Sequence, residues 1–375
     1  MTRAWARWVP ALLVPAVVAA GALVNSTQAG AAPDLPAKSA SEVLAMFGAS
    51  TLEAFSGTIE QASALGLPAL PAGAASLGSS GSSGSAGSAG SAGSTASAAA
   101  LELLTGAHTA RVYVDGPTKV RVQVLDQLAE RDLVRSGSDV WFYSSADNAA
   151  THLVLPPSTS PADATEVTTP PELAKRLVAA IDPSTELTVD RATTIAGRDA
   201  YTLTLRPRSD ATLVGSASIA VDAATGLALS VDVRARGQAD PAFVLAFTSL
   251  SLDRPNAERF AFTPPAGATV EEQTIGAHGS GPRLPGSSPD GASPDDASSV
   301  PPTLSGTGWE TVVEVPSADV PAELSASPLL TQATRAVAGG RFLHTALVNV
   351  LLTNDGRVLL GSVPLERLES AAAGR

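Results

Sequence analysis

The sequence predicts an α+β protein whose main body is one long, curved, mainly antiparallel sheet. Three features carry that expectation. Apolar and polar residues alternate in one short run after another from Thr109 to Leu252. Turn signals, not helical crossovers, separate most of those runs, as in Asp115-Gly116-Pro117. Only two apolar-striped helices precede residue 276, so both must cover a face of the sheet.

The first helix is expected over Ala40–Ala54. Ser39 and Glu42 form a capping box, and Leu44, Phe47 and Thr51 share a face. "FSGTIEQAS" then reads as a strand. Residues 73–100, including "GSSGSSGSAGSAGSAGSTASAAA", carry almost nothing to bury and are expected to form a disordered Gly/Ser loop inside one domain. "TARVYVDGPTKVRVQVLD" follows as a hairpin, with Val120, Val122 and Val124 on one face. "DLVRSGSDVWFYSS" and "THLVLP" continue the alternation.

Thr169, Pro170 and Glu172 announce the second helix as N-cap, N1 and N3. Leu173, Leu177 and Ile181 form its stripe, and Asp182-Pro183 stops it. "ELTVDRATT", "DAYTLTLRP", "SASIAVDAATGLALSVDVRARG" and "FVLAFTSLSL" are further strands. Residues 276–306 are a linker rich in Pro, Gly and Ser. A small α+β module is expected over 307–375: a strand in "WETVVEVP", a helix over Ser325–Ala338, one buried strand within Phe342–Leu352, a hairpin turning at Asn354-Asp355-Gly356, and a helix after Pro364. The apolar run Leu347–Leu352 implies docking against the main sheet, with Ala346–Thr353 pairing along its edge.

Residues 1–31 have the pattern of a signal peptide: Arg3 and Arg7, the apolar run Val9–Val24, and Ala29-Gly30-Ala31 as a cleavage site. Its removal would take the net charge from −12 to −14 and leave an exported, soluble chain. The acidic balance argues against nucleic acid as a partner, since phosphate binding needs clustered Lys and Arg. With no cysteine there is no disulfide, thiolate site or lipid attachment point.

The four histidines, His108, His152, His278 and His344, have no metal-ligand spacing, so no metal is expected. Nucleophile-elbow, phosphate-loop and dinucleotide motifs are missing from the sequence. Asp126, Glu130 and Asp132 read as a solvated face, and Trp141-Phe142-Tyr143 as core packing. No catalytic residue or cofactor is indicated, and the chain reads as a non-enzyme.

Three stretches, in order, carry a resemblance: "DLVRSGSDVWFYSSADNAATHLVL", "IAVDAATGLALSVDV" and "RFAFTPPAGATVEEQ". Over residues 40–275 the sequence resembles the LolA-like outer-membrane lipoprotein carriers, a superfamily that includes actinobacterial lipid-binding members and the RseB/MucB-like envelope-stress regulators. The resemblance implies an unclosed half β-barrel with a helical plug and an apolar cavity. Pro264-Pro265 would then end the last strand at a barrel edge. The implied ligand is a lipid or lipoprotein acyl chain. The alternative is a regulator that binds the extracytoplasmic segment of a membrane anti-sigma or sensor partner. Simple carriers lack the C-terminal module, and two-domain regulators have a second domain. By alternation and helical spacing, Val120, Val122, Val124, Leu203, Leu205, Ile219, Val221, Leu173 and Leu177 are the expected cavity lining.

Overall fold

A computed structural model describes residues 33–66, 106–125, 129–155, 169–179, 181–274, 303–320 and 333–374. The expected signal peptide, the Gly/Ser loop and most of the linker lie outside the described residues.

Helix α1 (Ala40–Gly48) begins at the expected capping box, where the Glu42 carboxylate accepts from the Ser39 N–H at 2.8 Å. It buries Val43 and Phe47 and stops at Gly48, not at Ala54. Ala54 is needed elsewhere, because strand β1 (Ala54–Ser63) already pairs there with Asp115. The wing that follows is an antiparallel run of β2 (Gly106–Asp115), β3 (Lys119–Leu125), β4 (Glu130–Ser136), β5 (Asp139–Ser144) and β6 (Ala149–Val154). Helix α2 (Pro170–Ala179) keeps its Thr169 cap, with Glu172 reaching back to the Thr169 N–H.

The second wing is β7 (Thr185–Ile195), β8 (Arg198–Pro207), β9 (Val214–Asp222), β10 (Ala228–Ala235) and β11 (Phe243–Ser251). The wings join where β1 pairs with β11, so the first strand lies inside the sheet. Gly226 at the β9–β10 turn has φ +74°, and a Cβ there would sit 2.3 Å from the Met46 carbonyl oxygen. A bare backbone thus lets the hairpin tip rest on α1.

The stretch "RFAFTPPAGATVEEQ" departs from expectation. β11 has already ended at Ser251, and Asn256 caps a 3-10 turn, Ala257–Phe260, which buries Phe260. The chain then crosses the other wing and adds β12 (Thr269–Thr274) parallel to β6. Pro264-Pro265 therefore precede an edge strand instead of terminating one. Strand order is β12-β6-β5-β4-β3-β2-β1-β11-β10-β9-β8-β7. β12 and β7 stay unpaired with each other, which leaves the barrel unclosed. The fold is α+β and mainly antiparallel, a half-barrel with helices on its sheet and a second, smaller sheet.

That second sheet has the order β13-β14-β18-β17-β16-β15. Its strands are β13 (Thr303–Ser305), β14 (Val312–Val315), β15 (Arg335–Val337), β16 (Gly340–His344), β17 (Asn349–Thr353) and β18 (Val358–Gly361), covered by helix α3 (Leu365–Ala372). Four expectations change here. The linker's last residues form β13. Trp309 lies in a 3-10 turn ahead of β14. Arg335–Val337, expected to end a helix, instead pairs with β16; the rest of that expected helix, up to residue 332, lies outside the described residues. Phe342–Leu352 is two strands, because the Thr345 hydroxyl accepts from the Val348 N–H at 2.9 Å and turns the chain.

The module docks on the main sheet, but not by strand pairing. β17 is flanked by β16 and β18. Contact comes instead from Leu347, packed with Val214, Ala235 and Ala242, and from isolated hydrogen bonds: Ala346 N–H to the Leu65 carbonyl and Leu213 N–H to the Ser362 carbonyl. Trp309 donates its indole N–H to the Thr185 hydroxyl at 2.9 Å.

Candidate functional site

Cross-strand partners share a sheet face, as do alternate residues along a strand. The register therefore traces one face across both wings. Leu203 pairs with Ile219, Ile219 with Val231, and Val231 with Leu245. Phe247 pairs with Ile59, Gly57 with Val112, and Val112 with Val122. On the far wing Val122 pairs with Leu133 and Leu133 with Phe142. This is the inner face, because α1 and α2 pack on it.

The nine expected lining residues divide into two groups. Leu203, Leu205, Ile219 and Val221 are buried in one cluster with Val43 and Phe47 of α1, and Leu173 and Leu177 of α2 pack against it. Val122 belongs to a second cluster with Phe55, Ile59, Val112 and Phe247, and Val120 and Val124 pack at its margin. Helices thus fill the face over β7–β10, leaving those residues as close-packed core.

The far wing differs. Leu133 and Val140 are buried with Leu155, yet Phe142 is 42% exposed on the same face. Alternation could have shown this: Val140 and Phe142 share parity, and Trp141 and Tyr143 take the opposite side. The expectation of core packing for the whole Trp141-Phe142-Tyr143 run holds only in part. Trp141 stacks on His152 at 4.1 Å between ring centres, and Phe262 of the crossing chain leans on Trp141 and Tyr143. These rings form the outer face.

Charge is sorted by face as well. On the outer side Arg121 grips Asp132 through Nε at 3.1 Å, and His152 lies between Asp139 at 3.0 Å and Glu272 at 2.7 Å. Asp132 is 5% exposed, so it does not belong to the solvated face expected from its neighbours; Asp126 lies outside the described residues. Burial raises the Asp132 carboxyl above the usual carboxylate range, against the pull of Arg121.

The inner side of β4 carries Arg131 and Arg135 instead, and Arg135 is 5% exposed. Among the described residues no group of His, Asp and Glu has the geometry of a metal site. No described helix is long and apolar enough to cross a membrane. An open hollow of about 520 Å³ lies in the module between Leu351, Thr353, Arg357 and Glu369, away from the inner face.

No protein-family profile matches the chain, and no curated protein matches it. Solved structures do. The chain is similar to MucB. The complex of Pseudomonas aeruginosa MucA and MucB aligns over 89% of this chain and 96% of that one, at 14% identity and a TM-score of 0.40. MucB alone aligns over 89% and 96%, at 17% identity and a TM-score of 0.39. A LolA superfamily protein from Nitrosomonas europaea aligns over 60% of this chain and 99% of its own, at 10% identity and a TM-score of 0.24.

Proposed function

We propose that this chain is an exported, non-enzymatic binding protein that holds an acyl chain of a lipid or lipoprotein on the inner face of the half-barrel. One observation carries the reading: the apolar inner face is closed by helices over one wing and bears an exposed aromatic, Phe142, on the other. Contiguous apolar surface marks a binding site, and here the exposed ring extends an already formed apolar face. The cavity residues expected from sequence serve in this reading as the wall behind the site, with Val120, Val122 and Val124 nearest to it. Val122, at 2% exposure, supports the fold too closely to be a useful test position.

Phe142→Asp tests the reading. The site is exposed, so the melting temperature should stay within about 2 °C of wild type, as for surface changes generally. Affinity for a fluorescent fatty acid should fall by about tenfold or more, the worth of burying such a ring. Unchanged affinity, or no binding by the wild-type chain, would overturn it.

The second reading is a regulator that binds the extracytoplasmic segment of a membrane partner. It draws on the six-stranded second sheet, which simple carriers of the resembled superfamily lack. Native mass spectrometry of the secreted chain separates the two: co-purifying lipid supports the carrier.

A further inference from the structure

We infer that His152 is a protonation-dependent clasp: with its ring charged it ties edge strand β12 to the far wing through Glu272, and with the ring neutral that tie is lost and the end of β12 loosens. This goes beyond the binding reading and does not depend on it.

The geometry is that of a cation between two anions. His152 of β6 presents one ring nitrogen to each neighbouring strand. Nδ1 lies 2.7 Å from Glu272 Oε2 of β12, and Nε2 lies 3.0 Å from Asp139 Oδ1 of β5. Ionised carboxylates only accept, so both contacts are hydrogen bonds only when both ring nitrogens carry a proton, which is the imidazolium form. A neutral ring has one N–H to give. Its other nitrogen then turns a lone pair toward a carboxylate oxygen, and two like charges face each other with no cation between them. Trp141 favours the same form. Its indole lies nearly parallel to the imidazole at 4.1 Å, and a charged ring is drawn to an aromatic face.

The other polar groups nearby are engaged elsewhere or face away. Asp132 of β4, two strands off, is tied to Arg121. Asp147, in the turn after β5, accepts from the Ser144 hydroxyl, and the Tyr143 hydroxyl donates to Asn148. Glu271 takes the inner face by alternation. From the crossing chain come Phe262, which leans on Trp141 and Tyr143, and Arg259, which lies over the Tyr113 ring. Asp139 and Glu272 are thus the titratable groups set directly against the imidazole.

β12 is fixed at its start by bonds that no proton controls. The Thr269 N–H donates to the Asn148 carbonyl, and Asn148 Nδ2 donates to the Gly267 carbonyl, each at 3.0 Å. The clasp sits at the fourth of the strand's six residues, so it governs the second half, Glu272–Thr274. Glu272 is 67% exposed and has solvent to move into. The same strand borders the inner face, where Thr151 pairs with Glu271 on one side and with Phe142 on the other. Imidazole ordinarily changes charge between about pH 5 and 8. The rim beside Phe142 is therefore held at the acid end of that range and eases as pH rises.

Hydrogen exchange of the full chain, read by mass spectrometry on a peptide covering residues 269–274, tests the clasp. Wild type is compared with His152→Gln at about pH 5.5 and about pH 8, within the span where imidazole changes charge. The peptide has the same sequence in both proteins, so its intrinsic exchange rate cancels. At the lower pH wild type should exchange about threefold more slowly or better, the scale of a partly exposed ion pair. At the higher pH the two should agree to within about 1.5-fold, since the neutral ring no longer makes the pair. Glu272→Gln changes an exposed side chain and leaves the Trp141–His152 stack in place, so it should fold as wild type and lose the same acid-side protection. A ratio of wild type to His152→Gln that is equal at both pH values would make His152 a packing residue and overturn the inference. Full protection in Glu272→Gln would overturn it too. Both results leave the binding reading untouched.

Discussion

Phe247→Ala should destabilise the half-barrel by about 3–5 kcal/mol, the range for deleting a buried aromatic ring. The ring is 2% exposed and meets Phe55 edge-to-face at 5.9 Å between centroids. It lies directly on bare Gly57, where a Cβ would come within 2.9 Å of the ring. It also sits beside the register shift between Thr58 and Ile59, at the seam of the two wings. The gap left by alanine borders rigid backbone on one side, so little can collapse into it. Urea titration followed by circular dichroism measures the cost. A loss below about 1 kcal/mol would mean that the seam relaxes around the hole, as in the mildest truncations.

The second large effect is expected at Asp222. Its carboxylate is 1% exposed and accepts from Arg198 Nε at 3.0 Å and Nη2 at 2.8 Å, and from the Thr225 N–H at 3.0 Å. Burial pushes the group up, but the bonds from Arg198 and Thr225 together outweigh it and hold the carboxyl below its usual range. A folded-state value below the unfolded one means stability that is present above the unfolded carboxylate pKa of about 3.9 and is lost as pH falls through the folded value. Asp222→Asn should therefore cost about 2–4 kcal/mol at pH 7, below the full figure for a broken buried pair because Arg198 keeps some solvent. The gap to wild type should narrow below about pH 3.5 as the native carboxyl takes up its proton. An equal cost at both pH values would assign the loss to packing of the turn, not to charge.

Much of this architecture is written in local pattern. The capping boxes at Ser39 and Thr169, the alternation of Val120, Val122 and Val124, and the turn residues at Asp115-Gly116 each act over a few positions, and each survives in the structure. What local pattern lacks is any record of which strand lies beside which. The aromatics Phe260 and Phe262 look like strand alternation, yet one is buried under a 3-10 turn and the other caps Trp141 from across the sheet. Thr345, an unremarked threonine, decides by one hydroxyl that an apolar run becomes two strands. The nine expected lining residues show the same limit. Alternation put the strand residues on one shared face, but whether helices fill that face depends on where α1 and α2 dock. The open wing at Phe142 emerges only once β4, β5 and β6 are in register.

The seam between β1 and β11 also sets a timetable. Within each wing most strands meet a neighbour a short turn away, and such pairings form early. The seam brings together Thr58 and Ser249, 191 positions apart, and β12 must then cross back to β6. Until residues 243–251 are available, β1 keeps a bare edge beside a half-formed apolar face, the arrangement most prone to pair with a second chain. Emergence of that last stretch, more than the forming of any hairpin before it, marks when the protein becomes safe from its own copies. Light scattering of chains ended at residue 240 or at residue 274 measures this directly, and equal self-association of the two would refute it.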